Sequence, residues 1–475
     1  MVFVFVGPMT ARAQSDDPME SGVAVESLRD GGDVVLGADG EPVFGHDVPL
    51  DDPGHRALRA FHDALDRSAR GEGQARIVVY GASHVASDLA THTLRTLLQR
   101  EFGDAGHGFV LPAQPWPHYR HVDVDVDGSP RPWQVERVRA GAVEPGRYGL
   151  AGVALTTDSA RAFGRISTGS HHASRFELFY WRQPGGGSME IFIDGVAIRR
   201  VSTHAAEAGP EYALFHVPDA PHSFELRARG DGPITVFGVS AEREVPGVIV
   251  DTLGINGARA ASQLLWDEAL WSEHLRRRAP DLVVLAYGTN ESGDDDQPIE
   301  RYEASLRQVV DRVRRSVPGA SCMLVGPSDR PIRLRDGTFV ERPRTAQVVD
   351  TQRRVAAETG CAFFDLVAFG GGPMHMVTWA ALDPAWAQRD HVHFTLRGYA
   401  RLGQVLHGAL LDGYEGPFGT ERVVTARVAP LGVEGGAATP RGVAGGTGIF
   451  DGVMGGGGTG GGGTASGGTL SAASR

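Results

Sequence analysis

Lysine is missing from this chain of 475 residues: all 46 Lys-plus-Arg positions are arginine, set against 58 Asp and Glu for a formal net charge of -12. The arginines are dispersed, so there is no basic stripe to neutralise a phosphate backbone, and a nucleic-acid partner is not expected. Cysteine is nearly missing too. Cys322 and Cys361 are the only two, which excludes a disulfide scaffold and any zinc cluster built from thiolates. Beyond the first residues no apolar run approaches the roughly 20 residues that cross a bilayer, so the body of the chain holds no integral membrane domain. What remains is a hydrophobic fraction of 41% in a chain long enough for two domains and tails.

The ends differ from the middle. Val2 to Val6 are apolar, and Ala11-Arg12-Ala13 has the small-x-small pattern of a signal-peptidase site before Gln14-Ser15-Asp16-Asp17. Residues 1–14 are therefore expected to be the remnant of an export signal, the alternative being a frayed apolar N-terminus. Residues 15–50, rich in Asp, Gly and Pro, predict a linker or loose arm. Residues 416–475 are dominated towards their end by Gly, Thr, Ala and Ser, with Gly455 to Gly458 and Gly460 to Gly463 in two runs. Such a segment buries too little apolar area to offset its ordering entropy and is expected to be disordered. A phosphate-cradling loop would need a strand leading in and a helix leading out, and neither is there.

Between these ends three patterns follow one another. Ile77-Val78-Val79-Tyr80 is a continuous apolar run closed by Gly81, followed by a helical pattern from Ala86 to Phe102 carrying Leu89, Leu94, Leu97 and Leu98. Over 121–245 the pattern is alternation: Phe176, Leu178 and Tyr180; Met189, Ile191 and Ile193; Phe224, Leu226 and Ala228, with an Asp194-Gly195 hairpin signal. From 246 to 415 strands and helices alternate again, with helices over 258–278, 299–317 and 345–358 and strands at 248–250, 282–286, 323–325 and 362–364. This predicts an α/β fold, a flavodoxin-like parallel sheet flanked by helices over 51–120 and 246–415, interrupted by an inserted β-sandwich or jelly roll.

In an open parallel sheet ligands collect at the carboxyl ends of the strands. The segments there are Gly81-Ala82-Ser83-His84, Gly254-Ile255-Asn256-Gly257-Ala258, Gly288-Thr289-Asn290-Glu291 and, near the end of the fold, Asp390-His391-Val392-His393-Phe394-Thr395. Taken singly, each has a plain structural use. Ser83 suits a helix N-cap, Gly257 a turn, and Asn290 a cap. Asp390, His391 and His393 have metal-ligand chemistry but no further ligand at suitable spacing. His84 is expected to be an exposed neighbour without a role.

Together and in this order, the four segments resemble the four sequence blocks of the SGNH (GDSL-like) hydrolase family. The resemblance spans about residues 72–115 and 246–412. It implies a serine esterase with Ser83 as nucleophile, His393 as general base and Asp390 orienting that base, because a hydroxyl needs an imidazole to take its proton and a third group to fix the tautomer. It also implies an oxyanion hole from the backbone N–H groups of Ser83 and Gly257 and the side-chain amide of Asn290, each donor worth about 3 kcal/mol. Ser83 at a helix start would add a favourable dipole. Neither metal nor cofactor is implied. One position departs from the family: Ala82 stands where Asp is usual.

A β-sandwich between the first two blocks resembles the bacterial peptidoglycan O-acetylesterases, whose insert is like a carbohydrate-binding module. The expected substrate is an acetylated polysaccharide of the cell envelope, peptidoglycan first, for a periplasmic or secreted enzyme; an O-acetyltransferase, a lipid esterase and a non-catalytic glycan binder stay open. Trp181, Tyr180, Trp133 and Phe192 are candidates to stack on sugars or, alternatively, to pack in the core. Cys322 and Cys361 each begin a predicted strand, and an oxidising compartment would join them if those strands are neighbours.

Overall fold

The computed structural model describes residues 35–36, 42–43 and 45–416, apart from 53, 118, 129–130 and 139–141. The expected signal segment, most of the N-terminal arm and the Gly-rich tail lie outside the described residues. Among these residues no helix is long and apolar enough to cross a membrane.

Helix α1 (Arg59–Ala69) leads into β1 (Gln74–Gly81), the apolar run noted above, and α2 (Leu89–Phe102) into β2 (Gly106–Val110). Ten strands follow: β3 (Asp125–Gly128), β4 (Gln134–Arg137), β5 (Val153–Thr157), β6 (Phe163–Ser167), β7 (Ala173–Arg182), β8 (Ser188–Ile193), β9 (Val196–Ser202), β10 (Gly209–Ala220), β11 (Ser223–Ala228) and β12 (Ile234–Glu242). The chain then returns to alternation with β13 (Gly247–Gly254), α3 (Glu268–Arg278), β14 (Leu282–Ala286), α4 (Ile299–Ser316), β15 (Ser321–Val325), α5 (Pro343–Thr359), β16 (Ala362–Phe364) and α6 (Leu396–Leu410).

The central sheet has five parallel strands in the order β13-β1-β14-β15-β16. This is the flavodoxin-like order, whose switch point lies between the first strand and the third. Because side chains alternate, each strand feeds two cores. Ile77, Val79, Leu282, Val284 and Met323 face α1, α2 and α6, whereas Val78, Tyr80, Val283, Leu285 and Leu324 face the side carrying α3, α4 and α5. Burial on both faces is why these strands are apolar without interruption. Cys322 on β15 and Cys361 just before β16 lie on neighbouring segments of the sheet and form a disulfide.

Two expected helices are broken. The pattern from Ala86 to Phe102 is one turn, Ser83–Ala86, followed by Asp88 at φ 53° and only then α2. Asp88 tolerates that left-handed backbone because its carboxylate is fully engaged, by Arg95, Thr91 and Thr252 and the backbone N–H of Val122. The pattern over 258–278 splits into a 3-10 segment, Ala260–Leu265, and α3, which restarts where Asp267 accepts from the N–H of Leu270 at 2.9 Å. Asp267 is an ordinary N-cap signal inside what periodicity alone reads as one helix.

The other strands form two antiparallel sheets, β9-β8-β11-β6-β3 and β10-β7-β12-β5-β4, the second extended by β2 against β12. Their inner faces meet at Phe176 and Phe224, stacked at 5.4 Å, which makes the insert a β-sandwich. The outer face of the second sheet is not solvated. Phe179, Tyr212 and Phe237 surround the ring of His274 on α3, and Glu242 on β12 pairs with Arg76 of β1 and Arg278 of α3, which also grips Asp251. Burial would raise the Glu242 pKa, yet the two guanidiniums hold it far below the usual carboxylate range. The insert is thus fixed to the α/β body by paired buried charge. Trp133 and Tyr180 are buried, Arg147 covers Trp181 at 4.9 Å and Arg227 covers Phe192 at 4.3 Å. Core packing accounts for Trp133 and Tyr180, and an arginine stacks on each of the other two rings.

Candidate active site

The site forms where β1 and β14 end, at the switch point. Gly81 closes β1 with no space for a side chain: a Cβ there would lie 2.4 Å from Val85 and 2.7 Å from the Ala286 carbonyl oxygen. This close approach turns the chain sharply and leaves Ser83 at the start of its single helical turn. The turn is too short to offer the dipole expected from a full helix.

The hydroxyl of Ser83 lies 2.7 Å from His393 Nε2, and His393 Nδ1 lies 2.6 Å from Asp390 Oδ2. The segment carrying Asp390 and His393 enters α6 from a tight loop, in which Asp390 Oδ1 accepts from the N–H groups of Val392 and His393 at 2.9 and 3.0 Å. Burial pushes the Asp390 pKa up, but the hydrogen bond and charge of His393 and these two N–H groups bring it down to about 2. Asp390 is therefore ionised at any ordinary pH and accepts a proton-bearing Nδ1, leaving Nε2 free to accept from Ser83. His391, by contrast, has φ 55° and packs on Phe339 at 4.2 Å, away from a shared metal site with its neighbours.

Asn290 does not cap the turn after β14. Its amide donates to the Ala258 carbonyl at 2.9 Å, which ties the loop carrying Gly257 to the end of β14 and leaves its second N–H unspent. Gly257 has φ +75° and open space around its Cα, a conformation that favours glycine. Glu291, unassigned from its local pattern, is buried and receives the N–H groups of Ala260 at 2.8 Å and Gly288 at 3.0 Å, fastening the same two loops. Ala82 is buried against this turn and caps it with no side-chain bond. His84 is half-buried rather than exposed, with both ring nitrogens engaged by Ser328 and Tyr399.

One cluster went unread. Asp88, His107 and His121 bring three ligand-type atoms within 4.8 Å of one another. The guanidinium of Arg95 occupies the Asp88 carboxylate at 3.0 and 3.3 Å, so a cation there would face a buried positive charge, and the donor set does not fit a metal. The distance in sequence between Asp88 and the two histidines, which only the fold removes, hid it.

Comparison with known proteins agrees with this fold. The GDSL-like Lipase/Acylhydrolase family model matches residues 228–401. A solved peptidoglycan O-acetylesterase is 27% identical, covering 77% of this chain and 99% of its own, with a TM-score of 0.64. A family two carbohydrate esterase from Clostridium thermocellum, solved with cellohexaose, is 9% identical over 53% of this chain and 93% of its own, with a TM-score of 0.27, too loose a superposition to bear on the site. No curated protein sequence matches the chain. The flavodoxin-like sheet, the family match over residues 228–401 and the shared architecture lead to one conclusion: this chain carries an SGNH (GDSL-like) hydrolase fold, is a carboxylic ester hydrolase, and resembles a peptidoglycan O-acetylesterase in build.

Proposed function

We propose that the protein is an exported esterase that removes O-acetyl groups from a cell-envelope polysaccharide, peptidoglycan being the first candidate, through an acyl-enzyme on Ser83. The observation that carries this reading is the unbroken hydrogen-bond chain from Ser83 Oγ through His393 to Asp390, at 2.7 and 2.6 Å. Ser83 Oγ attacks the acetyl carbonyl carbon as His393 Nε2 takes its proton, and Asp390 stabilises the imidazolium without itself being protonated. The oxyanion is received by the backbone N–H groups of Ser83 and Gly257 and the second N–H of Asn290. Collapse breaks the bond to the sugar oxygen, which leaves with the proton from His393. Water then attacks the acyl-enzyme with His393 again as base, and acetate departs.

The substrate class draws on similarity to a peptidoglycan O-acetylesterase over nearly that protein's whole length. Export draws on the apolar and Ala-x-Ala features at the N-terminus. The test is acetate release from O-acetylated peptidoglycan and acetylxylan beside a series of p-nitrophenyl esters of rising acyl length, for the wild type and Ser83→Ala. The reading requires release from peptidoglycan, preference for the acetyl ester, and loss of both activities in the variant. Full activity in Ser83→Ala would sink the mechanism, a preference for long chains would sink the substrate, and acetate release that falls when a glycan acceptor is added would mark a transferase.

A further inference from the structure

Beside the site lies a histidine that this mechanism does not use. The ring of His84 is 5.4 Å from that of His393 and 5.4 Å from that of Phe394. Its Nε2 meets Ser328 Oγ at 2.9 Å, and its Nδ1 meets the hydroxyl of Tyr399 at 2.9 Å. Each contact continues to the loop. Ser328 Oγ donates to the Val392 carbonyl at 3.3 Å, and the Tyr399 ring packs edge-on against that of Phe394 at 5.4 Å. Val392 and Phe394 are the residues on either side of His393.

With Ser328 donating to the Val392 carbonyl, Ser328 Oγ accepts from His84 Nε2–H, and Nδ1 of the neutral imidazole accepts the proton of Tyr399. Burial, reinforced by the charge of His393, presses the His84 pKa down to about 3, which keeps it neutral.

We infer that His84 is a positioning residue: with Ser328 and Tyr399 it forms a clamp on the residues either side of His393, holding the general base in line with Ser83. The inference rests on the proposed role of His393. A rigid base matters because a misplacement of about 1 Å costs about 10²-fold in rate. Ser328 is itself fixed, its N–H bonded to Thr289 Oγ1 at 3.1 Å, so the clamp joins the end of β14 to the loop before α6.

The test uses the full chain and the variants Tyr399→Phe, Ser328→Ala, His84→Gln and His84→Leu, with folding checked by circular dichroism. Kinetics on p-nitrophenyl acetate give kcat and KM, and proton NMR follows the low-field signal of the hydrogen on His393 Nδ1. In Tyr399→Phe and His84→Leu, kcat should fall about 10- to 100-fold with KM unchanged, and the low-field signal should shift or broaden. His84→Gln, whose amide both donates and accepts, should recover part of the loss. If His84→Leu does not fold, Tyr399→Phe and His84→Gln decide the matter. Wild-type kcat and an unmoved signal in these folded variants would overturn the clamp. Ser83→Ala runs alongside: loss of activity there with full activity in the clamp variants defeats the clamp alone, whereas full activity in Ser83→Ala defeats the triad beneath it.

Discussion

Two regions of this molecule set histidine against aspartate, and they come to opposite ends. At the strand-end crevice Asp390 holds His393 at 2.6 Å, with side chains 39% and 20% exposed, and the far nitrogen of the ring meets a serine hydroxyl. At the junction below the sandwich His121 lies 3.8 Å from Asp88, with exposures of 2% and 0%, and its neighbour His107 meets it at 2.9 Å. There the carboxylate already belongs to Arg95, and burial holds both imidazoles below their usual pKa and neutral. The same residue types give a proton-transfer chain at one place and a structural tie at the other. What separates them is whether a guanidinium has already claimed the carboxylate and whether the imidazole reaches a hydroxyl that a substrate can approach.

The contrast can be broken at either end. Asp390→Asn should cost the most, about 10⁴-fold in kcat, while leaving thermal stability almost unchanged, because a partly exposed pair contributes about 1 kcal/mol or less; kinetics and a melting curve on one preparation check both halves. Asp88→Asn should do the reverse. It leaves the buried Arg95 with Asp123 alone at 3.1 Å, which costs about 3 kcal/mol in urea unfolding, while activity per folded molecule falls far less than in Asp390→Asn. A control away from both regions is the Cys322–Cys361 bridge, which closes a loop of 39 residues: reduction should cost about 2–4 kcal/mol without changing kcat, and two thiols should titrate only after a reductant is added.

The smallest effect is in pH. His107, His121, His274 and His375 are buried with pKa values lowered by desolvation, the last two to about 3 and about 4. The unfolded chain takes up protons first, so their contribution to stability is complete above an unfolded pKa near 6.5 and declines as pH falls towards the folded values. Between pH 7 and pH 6 His274 and His375 should lower the unfolding free energy by about 1 kcal/mol, with His107 and His121 acting in the same direction, measured by urea titration. Asp390, held at about 2, stays charged over that range. The buried junction should therefore register pH as stability, and an acid loss of activity in still-folded protein should not trace to Asp390.

Much of this was legible in the sequence because its signals are local. Ile77 to Tyr80 could only be a strand buried on both faces, and the first three blocks stand immediately after their strands. The helix of Ile299–Ser316 buries the stripe its spacing specified, Tyr302, Leu306, Val309, Val310 and Val313. What was lost depended on contacts distant in sequence. Glu177, between Phe176 and Leu178 of an alternating strand, is buried against Arg277 of α3; no local pattern tells that a sheet has a second partner. The break at Asp88 needs Arg95, Thr252 and Val122 in place before its backbone makes sense, and His84 looked exposed because Ser328 and Tyr399 arrive from far along the chain.

The central claim is that Ser83 carries the acyl group during turnover. Rapid quenching during hydrolysis of p-nitrophenyl acetate, followed by peptide mass mapping, should find one acetyl group on the peptide containing Ser83 in Asp390→Asn, where slowed turnover lets it accumulate, and none in Ser83→Ala. An acetyl group on another residue, or turnover with no acylated peptide while Ser83→Ala remains active, would contradict the account.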